Sequence, residues 1–255
     1  MARLMEGADH VISLVGILHE TKGNTFETVQ AKGPMLVGKI AREKNVRSLV
    51  HVSAIGADVN SKSLYASSKG LGETYIRDEF EKTVILRPSI IFGPDDNFFN
   101  RFANLAAFAP FLPLIGGGTT KFQPVYVQDV ASAIMVALED SAKIGNDYEL
   151  GGPSIYSFRE LLELLEKHTL RKRALVNIPF FLASLQAKFL ELLPNPPLTR
   201  DQVQLLKTDN IVSQDALTLQ DLGISPTSCE AVLPTYLDRF RPGGRYNRSR
   251  LTTSS

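Results

Sequence analysis

The chain has 255 residues, 44% of them hydrophobic, with a net charge of +1. This length suits one large domain or two small ones. Near-neutral charge excludes a global field that gathers nucleic acid, and the lone cysteine, Cys229, excludes a disulfide framework and fits a reducing compartment.

From the N-terminus, HVISLVGI (10–17) is short and rich in β-branched residues, which predicts a strand leaving through a glycine. Residues 26–45 have helical spacing, with Val29, Met35, Leu36 and Ile40 as inward positions. Pro34 predicts a kink or a late start there. SLVHVSAIG (48–56) reads as a second strand, 65–80 as a helix and TVILRPSIIFG (83–93) as a third strand. Apolar runs separated by helices indicate a parallel sheet covered on both faces, hence an α/β class. Residues 95–118 give a helix and then a Pro/Gly-rich connection. Residues 125–140 give a short strand and a helix, and 148–153 a strand and turn. Asp129 is placed to cap a helix starting at Val130. Two capping boxes follow, Ser157 with Glu160 and Thr199 with Gln202.

Between them, 178–194 carries Phe180, Phe181, Leu185, Phe189 and Leu192. This pattern reads as a core-packing helix, or more sharply as a face that docks on a membrane subunit or a bilayer surface. From 241 the chain is polar and basic, the pattern of a disordered tail. We expect a division into 1–150, 151–240 and that tail, with the first two interleaved. His10, His19, His51 and His168 form no recognisable metal constellation, and no apolar run reaches the ~20 residues of a membrane span.

SLYASSKGLGETY (63–75) puts Tyr65 four residues before Lys69. On a helix these positions share a face. An adjacent ammonium favours the phenolate, so the phenol is expected to lie below its usual pKa and to exchange a proton with a substrate oxygen. Ser53, at the end of the second strand, is the hydroxyl expected beside it, because ligands of open parallel sheets bind outside the carboxyl strand ends.

The ordered set HVSAIGAD, YASSKGLGE, LRPSIIFGPDDNFFNRF and PVYVQDVASAI resembles the short-chain dehydrogenase/reductase superfamily, in its atypical NAD-dependent epimerase/dehydratase-like branch. Within that branch, LVGIL, GPDDNFFNRF and PFLPLIGGGTTKFQPVYVQDVA resemble the nucleotide-binding accessory subunits of respiratory complex I and their bacterial relatives. The likeness runs from about Asp9 to Phe240. It implies a Rossmann-like doubly wound sheet with a smaller α-rich C-terminal region, and a Tyr65–Lys69–Ser53 catalytic set. It implies that Lys69 also holds the ribose of NAD or NADP. Leu14, Val15 and Gly16 are expected beside the cofactor, and Pro88, Ser89 and Ile90 against its nicotinamide end. The family's G-x-x-G-x-x-G turn, on which a pyrophosphate rests, is not found. We therefore expect a chain that starts at the family's fourth strand, with 10–17 as an unpaired edge and cofactor affinity collapsing for want of its phosphate anchor. Three functions stand open: an NAD(P)-dependent oxidoreductase or epimerase, a structural nucleotide-binding accessory of complex I, and a nucleotide-sensing or chaperone-like binding protein without turnover. The expected location is cytoplasmic, peripheral on the inner face of the inner membrane.

Overall fold

The computed structural model describes residues 2–244. Most of the tail expected from 241 lies outside the described residues. The central sheet is parallel throughout, in the order β1 (His10–Ser13), β2 (Ser48–Val52), β3 (Thr83–Pro88) and β8 (Asp147–Leu150). β2 and β3 are buried almost end to end, as continuous apolar strands require when helices cover both faces. One layer joins Leu49, Val37, Ala41 and Ile76, from β2, α1 (Gly33–Glu43) and α2 (Leu64–Glu79). The opposite layer joins Val50, Val84, Leu86, Ala133 and Ala137, from β2, β3 and α4 (Val127–Glu139). The Rossmann-like α/β expectation holds.

β1 forms an edge of this sheet, as expected, and its pattern alternates: Val11 and Ser13 are buried while Ile12 is 44% exposed. The strand stops at Ser13, so Leu14 and Val15 lie in the following loop rather than in a strand reaching residue 17.

The helix expected over 26–45 begins as a π-helix, Glu27–Lys32, and becomes α1 at Gly33, just before Pro34. Wider π turns set the inward positions of 27–32 out of phase with those of α1. The inward stripe runs through Gln30, Pro34, Val37, Gly38 and Ala41, and leaves Met35 and Leu36 exposed, against expectation.

Past β4 (Ile91–Phe92) a second core gathers α3 (Phe99–Phe108), β5 (Phe111–Ile115), α5 (Phe158–Thr169) and α8 (Cys229–Leu237) around Phe99, Leu112, Leu161 and Leu233. Short pairs stitch this region: β4 with β7 (Val125–Tyr126), β6 (Lys121–Phe122) with β9 (Tyr156–Ser157), and β5 with β10 (Ala174–Ile178). Both capping boxes form, at α5 and at α7 (Arg200–Leu205). Asp129 does not cap: α4 starts two residues earlier, and Asp129 accepts from the Thr227 backbone N–H (2.7 Å) and hydroxyl (3.0 Å). The core-packing reading of 178–194 holds for Phe180 but not for the other large side chains named. α6 (Phe180–Leu190) buries Ala183 and Ala187, and leaves Phe181 and Phe189 exposed.

Candidate functional site

Three of the expected residues meet where β1 and β2 end. α2 starts at a Ser63 cap whose side chain accepts from the Ala66 N–H. The helix lies close to the loop after β2 and to the π segment because it carries glycines there. A Cβ on Gly72 would sit 2.0 Å from the Gln30 carbonyl, and one on Gly70 2.6 Å from the Val59 backbone. This packing buries Lys69, whose Nζ donates to the Val52 carbonyl at 3.2 Å. A Cβ on Gly16 would lie 3.2 Å from that nitrogen, so the loop after β1 passes beside the ammonium as backbone. Ser53 is the next residue after Val52. Its hydroxyl is buried and has no hydrogen-bond partner.

Tyr65 lies one turn before Lys69, half-buried, with its ring edge-on to Phe26 at 6.2 Å. Burial pushes its phenol up to about 12. This corrects the expected lowering: burial penalises the phenolate, and Lys69 does not reverse it. Lys69 itself is pulled down to about 8 by burial, with Glu73 opposing.

The other expected residues fare differently. Leu14 and Val15 are 63% and 51% exposed, so only their backbone course relates to the site. Pro88 ends β3, and its carbonyl accepts from the Ile55 N–H, which keeps it beside the chain leaving Ser53. The Ser89 hydroxyl is already engaged, donating to Asn210 (Oδ1 2.7 Å, O 3.0 Å) and lying 3.3 Å from the Gln123 N–H. The Ile90 carbonyl accepts from Val125 N–H, and its side chain packs on the second core. Ser89 and Ile90 thus form a seam between the sheet and the C-terminal region.

Sequence reasoning missed four participants. Gln30 is buried; its Oε1 accepts from the Ile17 N–H (3.0 Å), and its Nε2 donates to Ser68 Oγ (2.8 Å), which bonds the Tyr65 carbonyl. It ties the loop holding Gly16 to the helix holding Tyr65 and Lys69. His51 is fully buried, with Nδ1 3.1 Å from Ser13 Oγ and Nε2 unpartnered. Burial first, and then the Lys69 charge, push it down to about 3, so it is neutral. Asp201 takes the N-terminus of α2 from a distant segment, accepting from the Ser63 hydroxyl and the Leu64 and Tyr65 N–H groups. Asn210 bridges Ser89 and the Ile55 carbonyl. A buried glutamine inside a helical pattern was the one signal available; the other contacts are long-range.

The site therefore offers a buried ammonium, an unpartnered hydroxyl and a close-passing backbone at a strand-end crevice. Those groups fit the ribose and nicotinamide end of a dinucleotide: an ammonium donates to ribose hydroxyls, and a free serine hydroxyl to a substrate oxygen. A shallow depression of about 310 Å³, lined by Ile17, Leu18, His19, Thr21 and Asn24, opens just beyond Gly16.

Residues 1–151 match the sequence profile of the NAD dependent epimerase/dehydratase family. The chain is 34% identical over 252 residues to the Arabidopsis thaliana mitochondrial "NADH dehydrogenase [ubiquinone] 1 alpha subcomplex subunit 9", covering 94% of this chain and 63% of that protein. The Mus musculus counterpart is 33% identical, with 94% and 64% covered. The chain thus spans a little under two thirds of the length of these relatives. The fold superimposes with a TM-score of 0.70 on a dTDP-glucose 4,6-dehydratase from Streptomyces venezuelae solved with NAD, at 19% identity, covering 92% of this chain and 74% of that one.

Proposed function

Because the chain belongs to the NAD dependent epimerase/dehydratase family, we propose that it binds the nicotinamide–ribose end of NAD(H) or NADP(H) at the carboxyl ends of β1 and β2. We further propose that it serves as a nucleotide-binding accessory of a respiratory NADH:ubiquinone oxidoreductase, held on the inner face of the inner membrane. The observation that carries the first part is the buried Lys69 Nζ, beside the Gly16 backbone and bonded to the Val52 carbonyl, one residue before an unpartnered Ser53 hydroxyl. The likeness to the complex I subunits carries the second. No helix among the described residues is long and apolar enough to cross a membrane.

When bound, the nicotinamide supplies hydride transfer. This chain's residues have four tasks. Lys69 holds the ribose hydroxyls. Ser53 donates to a substrate oxygen. Tyr65, whose phenol burial pushes up, gives its proton to the substrate oxygen when a carbonyl is reduced and takes it back in the reverse direction. Gln30 holds the loop and the helix in register. A second reading, a stand-alone oxidoreductase or epimerase, is favoured by the Ser53 hydroxyl, which is buried and left without a structural partner.

NADH titration followed by nucleotide fluorescence tests the binding reading. Lys69→Met is expected to weaken binding at least tenfold, about 1.4 kcal/mol. Binding that is unchanged in Lys69→Met rejects the site. Native fractionation of membranes from cells expressing the tagged chain separates the two functions. Co-migration with NADH:ubiquinone oxidoreductase activity bears out the accessory role. A small soluble species that oxidises NADPH against quinones or sugar nucleotides bears out the enzyme.

A further inference from the structure

α6 is built inside out. Ala183 and Ala187, one turn apart, are fully buried in a cluster with Ile115 and Val203. Phe180 packs on that cluster, but three large side chains face away: Phe181, Leu185 and Phe189 recur every four residues and are 70%, 53% and 64% exposed. Leu192, just past the helix, is 82% exposed. A helix on a protein surface in water turns its apolar stripe inward instead.

The apolar surface continues past the helix. Ile115 and Ile178 are register partners on β5 and β10 and share the α6 cluster. At alternate positions along the same sheet face, Val176 and Phe111 are 43% and 46% exposed. Phe108, at the end of α3, is 90% exposed.

Charge selects the occupant. Residues 171–207 hold six Lys and Arg against two Asp and Glu, whereas the rest of the chain holds 22 against 25. Both acids in the segment are already engaged: Glu191 with Arg200, and Asp201 at the N-terminus of α2. Arg171, Lys172 and Arg173 lead directly into β10, whose first residue, Ala174, is in register with Phe111. Lys188 is exposed and sits one residue before Phe189. Long basic side chains at the margin of an apolar surface reach phosphate while their stems stay in the apolar layer.

We propose that α6 and the outer face of β5 and β10 dock on an anionic phospholipid bilayer. Phe181, Leu185 and Phe189 enter the acyl boundary, and Lys172 and Lys188 meet the phosphates. These residues are separate from the nucleotide site, so either inference can fail without the other.

The test is co-sedimentation of the chain with vesicles of phosphatidylcholine, with and without one third phosphatidylglycerol. Binding is expected to need the anionic lipid and to fall as salt rises from about 0.05 to about 0.5 M, where screening shortens to a few ångströms. Phe181→Ser with Phe189→Ser, and separately Lys172→Glu with Lys188→Glu, are expected to lower partitioning more than tenfold. All four side chains are exposed, and circular dichroism checks that the fold is kept. No pelleting of the unmodified chain overturns the proposal, as does equal pelleting with both vesicle types that the variants leave unchanged. Self-association that Phe181→Ser with Phe189→Ser abolishes, without vesicle binding, assigns the face to a protein contact and also overturns it.

Discussion

At the residue scale, burial decides the chemistry of Lys69. Its folded pKa of about 8 lies below the usual 10.5, so folding disfavours its charged form. The unfolded chain binds more protons between about pH 8 and 10.5, and stability is expected to rise with pH across that window. Lys69→Met is expected to stabilise the fold at pH 7 by about 2 kcal/mol, the desolvation gain less one lost hydrogen bond. Chemical denaturation at pH 7 and 10 checks both. His51 gives the acid counterpart: a folded pKa of about 3 against 6.5 means stability falls as pH drops below about 6.5, by at most about 1.4 kcal/mol per pH unit. In His51→Gln the slope of unfolding free energy between pH 4 and 6 is expected to flatten. The Tyr–Lys spacing was legible in the sequence, because a four-residue repeat on a helix is local information. The direction of the tyrosine shift was not, because it depends on Phe26 and on the packing of the whole helix.

At the element scale, α2 is held by close approach and by one ionic network. Gly72→Ala puts a methyl 2.0 Å from the Gln30 carbonyl and is expected to cost about 3 kcal/mol, read by thermal unfolding. One turn after Lys69, Glu73 is buried and takes a two-pronged contact from Arg87, at 3.0 and 2.6 Å. Arg87 also reaches Asp147 at 2.9 Å, and Arg77 bonds the other oxygen of that carboxylate. These partners raise the Arg87 guanidinium pKa, with the Glu73 hydrogen bonds foremost. Glu73→Ala leaves Asp147 as the remaining bonded carboxylate on this guanidinium, and a loss of about 2 kcal/mol, that of charge-assisted hydrogen bonds, is expected. Elements with local signatures were readable: both capping boxes and the extent of α2 follow from a few neighbouring residues. The π turn was not, and neither was the inward face of α1, which keeps Ile40 but takes Val37 and Ala41 in place of Met35 and Leu36. α6 was misread for a related reason. Periodicity locates an apolar stripe but does not say which side is water.

At the scale of the whole molecule, the N-terminal sheet and the C-terminal region meet at the site through Asp201 and Asn210. Their partners lie more than 100 residues away in sequence, at Ser63–Tyr65 and at Ile55 and Ser89. Such contacts carry no local pattern, which is why Ser89 was assigned to the cofactor and not to the seam. The parallel α/β class was legible, because buried strands alternate with helices, while the edge position of β1 followed from the family resemblance. The edge at β1 has a physical cost: Ile12, Leu14 and Val15 are exposed beside open strand backbone, a template for pairing. Ile12→Lys is expected to reduce concentration-dependent association in sedimentation velocity without altering the thermal transition.

The most direct test of the central claim is nuclear magnetic resonance on the amide-labelled chain titrated with NADH to millimolar concentrations. The account predicts shifts clustered on residues 14–17, 53–55 and 65–69, and their loss in Lys69→Met. Shifts confined to other strand ends, or a response that survives intact in Lys69→Met, contradict it.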